Sequence, residues 1–238
     1  MKIRRLSEID LARIAPLAAE EKRYRLRILK SGGPPHTYSP LRRSLGDILN
    51  LQPEMFGSAE YTPWIKIEDA IKKAAKSDSE EQFNLAVAKS LYYYGLSEQA
   101  RSYTKAISAW PVGYNQAVSY WWNLYTVLGG QPCFIFADPR VSNSLTRLGR
   151  RFTFSMMHQR IRVSDPDFAE ARLLVVQFAK GGNGTRIIKP FNEIDVELYS
   201  IDQLNEMIDE TYRIWLEVLQ ERVEMERKFA SGSNPMGF

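Results

Sequence analysis

Side chains do chemistry in company, and the candidates in this chain keep little of it. The two histidines, His36 and His158, stand in no metal-ligand or triad spacing. The single cysteine, Cys133, lies in an apolar run, where a thiol acts as a small hydrophobe. Alone it makes neither an internal disulfide nor a multi-cysteine zinc site, which points to a reducing compartment. There is no G-x-x-x-x-G-K-[ST] phosphate loop and no G-x-S-x-G elbow, and GGNG at 181–184 lacks the lysine and strand-to-helix context of a phosphate cradle. One enzyme class keeps a foothold, a metal-dependent nuclease, because Asp138 ends an apolar run and basic residues follow. Such a site needs two carboxylates and a lysine around a magnesium-bound water. The next apolar run ends Gln177-Phe178-Ala179-Lys180, with Phe178 where an acid is wanted two residues before the lysine. Asp165, Asp167 and Glu170 remain to be recruited in space, although Asp165-Pro166 reads as a turn and Asp167 as a cap or loop acid. The expectation is no catalytic residue, no metal and no cofactor.

The spacing with the clearest chemistry is Leu51-Gln52-Pro53-Glu54-Met55-Phe56. Glutamine carries donor and acceptor together, so Gln52 suits the polar rim of a groove, including its ordered water. Met55 and Phe56 suit a greasy pocket, each contributing about 1.5 to 3 kcal/mol on burial before ordering costs. Pro53 biases Gln52 towards an extended backbone, Gly57 lets the chain turn away, and a charged Glu54 between them predicts an exposed segment. Of the nine glutamines, only Gln52 has Met or Leu and then Phe at the fourth and fifth positions. The bland alternative is that Met55 and Phe56 plug a loop onto the core.

This peptide resembles the pentapeptide by which bacterial replication proteins dock on the DNA sliding clamp. With the general character of the chain, it is similar to the SocB family of clamp-binding toxins. The resemblance implies a toxin that is not an enzyme. It would inhibit replication elongation by binding the beta-subunit clamp and competing with polymerase and other clients, with Gln52 as polar anchor and Met55 and Phe56 for the pocket. It also implies a SocA-like antitoxin that serves as adaptor to the ClpXP protease. Glu54 departs from the smaller Ser or Asp often found at its position.

The first half of the chain reads as helical. Leu6, Ile9 and Ile14, then Leu17, Tyr24, Ile28 and Leu29, recur near helical spacing, with a break at Pro16. SGGPPHTYSP is a loop. Helices are predicted over 41–49, 64–76, from an Asp78 or Ser79 cap to Gly95, and over 114–128. The second half changes character: Phe134 to Ala137 and Leu173 to Ala179 predict buried strands, and GGNG joins the latter to TRIIKPF as a hairpin. Ser200 with Gln203 forms a capping box for a long helix, whose Ile201, Leu204, Ile208, Tyr212, Trp215 and Leu219 make one stripe expected to pack on the sheet. The fold class is α+β: a helical N-terminal half packed with a small, mainly antiparallel sheet and a long C-terminal helix. The expected divisions are a mainly helical region 1–128 with the exposed peptide at 51–57, an α+β region 129–230 and a flexible tail 231–238.

Charge supplies the rival readings. Residues 1–43 hold eleven Lys/Arg against four Asp/Glu, whereas 193–226 hold two against eleven. The stretch from Arg140 to Arg162 carries six arginines and no acid. Arg147, Arg150 and Arg151 suit contact with a phosphate backbone, with Phe152, Phe154 and Tyr114 as stacking surfaces, giving a nucleic-acid binder or nuclease as the alternative function. A third reading is a scaffold whose acidic helix, with Glu217, Glu221, Glu224 and Glu226, meets a basic partner or merely faces water. The charged opening MKIRRLSEID and the lack of any apolar run of about 20 residues predict a cytoplasmic protein with no membrane partner.

Overall fold

A computed structural model describes residues 5–29, 37–53, 59–113, 115–119 and 122–232. The framework is a five-stranded sheet in the order β1-β4-β5-β6-β7, made of β1 (Arg101–Thr104), β4 (Leu124–Leu128), β5 (Gln131–Asp138), β6 (Arg172–Lys180) and β7 (Arg186–Asn192). A separate hairpin joins β2 (Trp110–Pro111) to β3 (Ala117–Val118). Among the described strands of this sheet only β5 and β6 run parallel, and the crossover between them carries α7 (Arg147–Met157) and one π-helical turn, His158–Arg162. The other pairings are antiparallel. The fold is α+β, with a small mixed sheet that takes strands from both sides of Leu128.

Helices cover both faces, which is why the central strands read as nearly continuous apolar runs. Phe134, Phe136, Leu173 and Val175 face a core shared with α1 (Glu8–Ile14), α2 (Ala19–Ile28), α7 and α8 (Ile201–Gly232). Cys133, Ile135, Ala137, Leu174, Val176 and Phe178 face a second core under α3 (Ser39–Arg43), α4 (Leu45–Ile48), α5 (Trp64–Ala74) and α6 (Asp78–Ser97). The capping box forms, with Ser200 N donating to Gln203 Oε1 at 2.9 Å and Gln203 N to Ser200 Oγ at 3.2 Å. The cap of α6 is Ser77, one residue earlier than expected, its hydroxyl accepting from Glu80 N. No helix among the described residues is long and apolar enough to cross a membrane.

Several expectations are corrected. In place of a helix over 114–128 the chain makes β3 and β4. Gly113 and Asn115 take positive φ at the turn, and 124–128 alternates buried and half-buried side chains, a period of two. Helix α8 runs mainly along α2, with α1 and α7, and its Leu204, Ile208, Tyr212 and Trp215 join the core that the sheet supplies through Phe134, Phe136, Leu173 and Val175, whereas Ile201 in its first turn is exposed rather than part of the stripe. On α2 the buried positions are Lys22 and Leu26, while Tyr24 and Ile28 face solvent. This rotation follows from charge: Lys22 Nζ pairs with Glu210, and Arg23 and Arg27 pair with Glu217 and Glu221. The acids at 217 and 221 therefore serve the chain's own α2, while Glu224 and Glu226 face water. Of the expected tail, α8 itself occupies 231–232, and 233–238 lie outside the described residues.

Candidate functional site

The peptide at 51–56 begins where the single turn of α4 stops. Leu49 N donates to Leu45 O at 2.9 Å and Leu51 N to Gly46 O at 2.8 Å, with Asn50 between them in the left-handed region at φ 55°. This is a Schellman ending, and asparagine is one of the few residues with a Cβ that accept its middle position cheaply. Gly46 lets the chain fold back: a Cβ there would stand 3.2 Å from Leu51 Cδ2. Leu51 then bridges Ser102 in parallel, and Gln52 N donates to Ser102 O at 2.8 Å while Ser102 N donates to Asn50 O at 3.0 Å. Strand β1 is an edge, so the peptide starts as a short added strand upon it. Ser102 is itself fixed from within, its hydroxyl donating to Leu49 O at 2.7 Å and sharing a hydrogen bond with Thr126 Oγ1.

The Gln52 side chain turns inward, contrary to the expected display at the surface; it is 7% exposed. The Gln52 Nε2 donates to Asn50 O at 2.9 Å and reaches Ala59 O at 3.5 Å, while Ala59 N donates to Oε1 at 3.0 Å. The carboxamide thus meets Ala59 as another peptide group would, and closes the loop that leaves after it. Pro53 is exposed; Glu54, Met55 and Phe56, with Gly57 and Ser58, lie outside the described residues. The returning segment is held independently. Tyr61 Oη donates to Ala100 O at 2.9 Å, the carbonyl that also accepts from Asn50 Nδ2 at 3.2 Å, and Thr62 Oγ1 donates to Asp47 Oδ1 at 2.9 Å. Both ends of the loop therefore meet at one carbonyl between α6 and β1.

The arginine stretch is largely spent within the fold. Arg150 donates to Leu145 O and Gln177 Oε1 and lies 4.1 Å from the Phe191 ring centroid. Arg151 pairs with Glu197 and covers Tyr199 at 3.9 Å. Arg140 pairs with Asp10, Arg162 with Glu193, and Arg160 stacks over Trp110. Arg147 is exposed. The expected stacking surfaces fail, since Phe152 and Phe154 are sealed in the core; Tyr114 lies outside the described residues, as does His36.

The carboxylates follow the same pattern. Asp138 is buried, accepts from Leu145 N at 2.7 Å, and has its pKa raised chiefly by burial. It fastens the loop after β5 and is paired in register with Gln177, not with a second acid. Asp165 caps a 3-10 turn and pairs with Lys105. Burial pushes the Cys133 thiol up to about 12, which leaves it protonated and inert at neutral pH. Among the described residues no three His, Cys, Asp or Glu side chains gather as a metal site.

A sequence profile of the family described as sliding clamp-binding bacterial toxin SocB matches residues 9–225. The chain belongs to the SocB family. The DNA replication inhibitor toxin SocB of Caulobacter vibrioides (strain NA1000 / CB15N) is 35% identical over 234 residues, 98% of each chain. No solved structure matches. The family match spans the 51–57 peptide, both cores and most of α8, so membership concerns the whole architecture. The frame of the 51–56 peptide, Asn50, Ala59, Tyr61 and Ala100, was not among the residues expected from the sequence. The available signal was an asparagine directly after a short helix, a common left-handed helix end.

Proposed function

We propose that the protein inhibits DNA replication by docking on the bacterial sliding clamp through Gln52, Pro53, Glu54, Met55 and Phe56. It competes there with polymerase and other clients that use the same pocket. Occupancy alone is sufficient for toxicity, so no bond need be broken. The observation that carries this reading is whole-length similarity to a replication-inhibitor toxin, together with a peptide of clamp-docking pattern. Its described start, Leu51 to Pro53, lies along the edge strand β1, with Leu51 and Pro53 exposed. A loop rooted on both sides supports affinity as well, because part of the ordering cost is met during folding rather than on docking. Met55 and Phe56 supply the apolar contact, and a peptide of this kind binds at roughly micromolar strength before flanking contacts add to it. Control in the cytoplasm by a SocA-like antitoxin that hands the protein to ClpXP belongs to the same reading. Titrating the clamp with the intact protein and with a Met55→Ala, Phe56→Ala variant tests it. Loss of binding and of growth inhibition at unchanged circular dichroism is expected, and equal affinity removes the reading.

A further inference from the structure

We propose that Gln52 is a latch: in the free protein its carboxamide is locked onto Asn50 and Ala59, and docking transfers that carboxamide from Ala59 to the clamp. The inference rests on the clamp reading above and adds a conformational step to it. The motif requires a glutamine able to present donor and acceptor outward. In the free fold both are occupied: Nε2 donates to Asn50 O at 2.9 Å and lies 3.5 Å from Ala59 O, and Oε1 accepts from Ala59 N at 3.0 Å. At 7% exposure the group is also nearly closed to solvent. A partner that reads the amide must first draw it out, which breaks these bonds and frees the Ala59 N–H to find water.

The surroundings let this happen without unfolding. The backbone of Gln52 stays on β1 through its bond to Ser102 O, and Asn50 and Tyr61 hold the two ends of the loop on Ala100 O with no help from the carboxamide. Only the Gln52 side chain and its contact with the Ala59 backbone need change. The latch keeps a fraction of molecules competent and lowers apparent affinity by that fraction. It also guards a polar side chain against wrong partners until one offers matching groups.

Two measurements on the full-length protein decide the matter. Amide exchange at Ala59 is expected to be slow in the free protein and faster once purified clamp is bound, because its acceptor has left; protection retained in the complex overturns the latch. Stopped-flow association of an Ala59→Pro variant, which lacks the N–H but keeps Gln52, is expected to be about fivefold faster than wild type. A variant rate equal to or slower than wild type overturns the proposal and makes Gln52 a permanent clasp. The Met55→Ala, Phe56→Ala variant run alongside separates the two levels: if it binds as wild type does, the peptide reading itself has failed, whereas its loss with an unchanged Ala59→Pro rate removes the latch alone.

Discussion

Asn50 offers a sharp test of how the docking loop is rooted, because one side chain performs two separable tasks. It holds φ at 55° at the end of α4, and its Nδ2 donates to Ala100 O. Asn50→Gly keeps the left-handed backbone and deletes the hydrogen bond. The Ala100 carbonyl retains the Tyr61 hydroxyl at 2.9 Å, so it is not orphaned, and the lost bond costs near the low end of about 0.5 to 1.5 kcal/mol. Glycine's freedom in the unfolded chain adds about 0.4 to 1 kcal/mol. Asn50→Ala loses the same bond and must also carry a left-handed Cβ, a penalty of about 1 to 2 kcal/mol. The expected order of stability is wild type, then Gly, then Ala, with Ala trailing Gly by up to about 1.6 kcal/mol once the glycine entropy is set against the strain. Urea unfolding followed by tryptophan fluorescence, with slopes compared to confirm a common unfolded state, reads these differences as shifts in midpoint. Clamp affinity is expected to fall in the same order, since the entry to the loop loosens. If Ala proves more stable than Gly, the Schellman geometry does not govern this junction.

Two further outcomes follow from the charges. The Lys22 side chain is 1% exposed and paired with Glu210, which is 36% exposed. Glu210→Ala strands a buried ammonium and is expected to cost about 2 to 3 kcal/mol, below the fully buried range because water reaches the glutamate side, whereas Lys22→Met is expected to cost no more than about 1 kcal/mol. Equal losses by thermal unfolding would contradict this. The carboxylate of Glu80 accepts from the Thr37 hydroxyl at 2.6 Å, Lys76 N at 2.7 Å and Thr37 N at 2.9 Å, which hold its pKa down to about 2. Its contribution to stability is present at neutral pH and disappears as pH falls from the usual glutamate range towards 2. Glu80→Gln is therefore expected to destabilise most at pH 7, with the gap to wild type closing on acidification; a gap that widens on acidification refutes the assignment.

What the sequence reveals divides by the range of the interactions involved. Local devices were legible: the Ser200–Gln203 capping box, the buried runs of β5 and β6, the hairpin to β7 and the helices around 64–97 depend on neighbours a few positions away. Strand β4 was not, because Leu124–Leu128 sits in an aromatic stretch whose helical and extended readings differ only once a partner strand exists. The inward turn of Lys22 depends on Glu210, 188 positions distant. The same holds at the site. The chemical capacity of Gln52 could be read directly, but its inward pose depends on the pairing of 51–52 with Ser102 and on the return of the chain at Ala59. The arginines from 140 to 162 looked like one basic surface because their partners, Asp10, Glu193 and Glu197, are remote in sequence.

The most direct test of clamp mimicry is competition on the clamp itself. Purified clamp carrying a fluorescent client peptide of the Q-x-x-[LM]-F type should release it as the full-length protein is added, and the apparent dissociation constant for the protein should rise in proportion to unlabelled client peptide. A stable complex holding clamp, client peptide and this protein together would place its contact elsewhere on the clamp and contradict occupation of the client pocket.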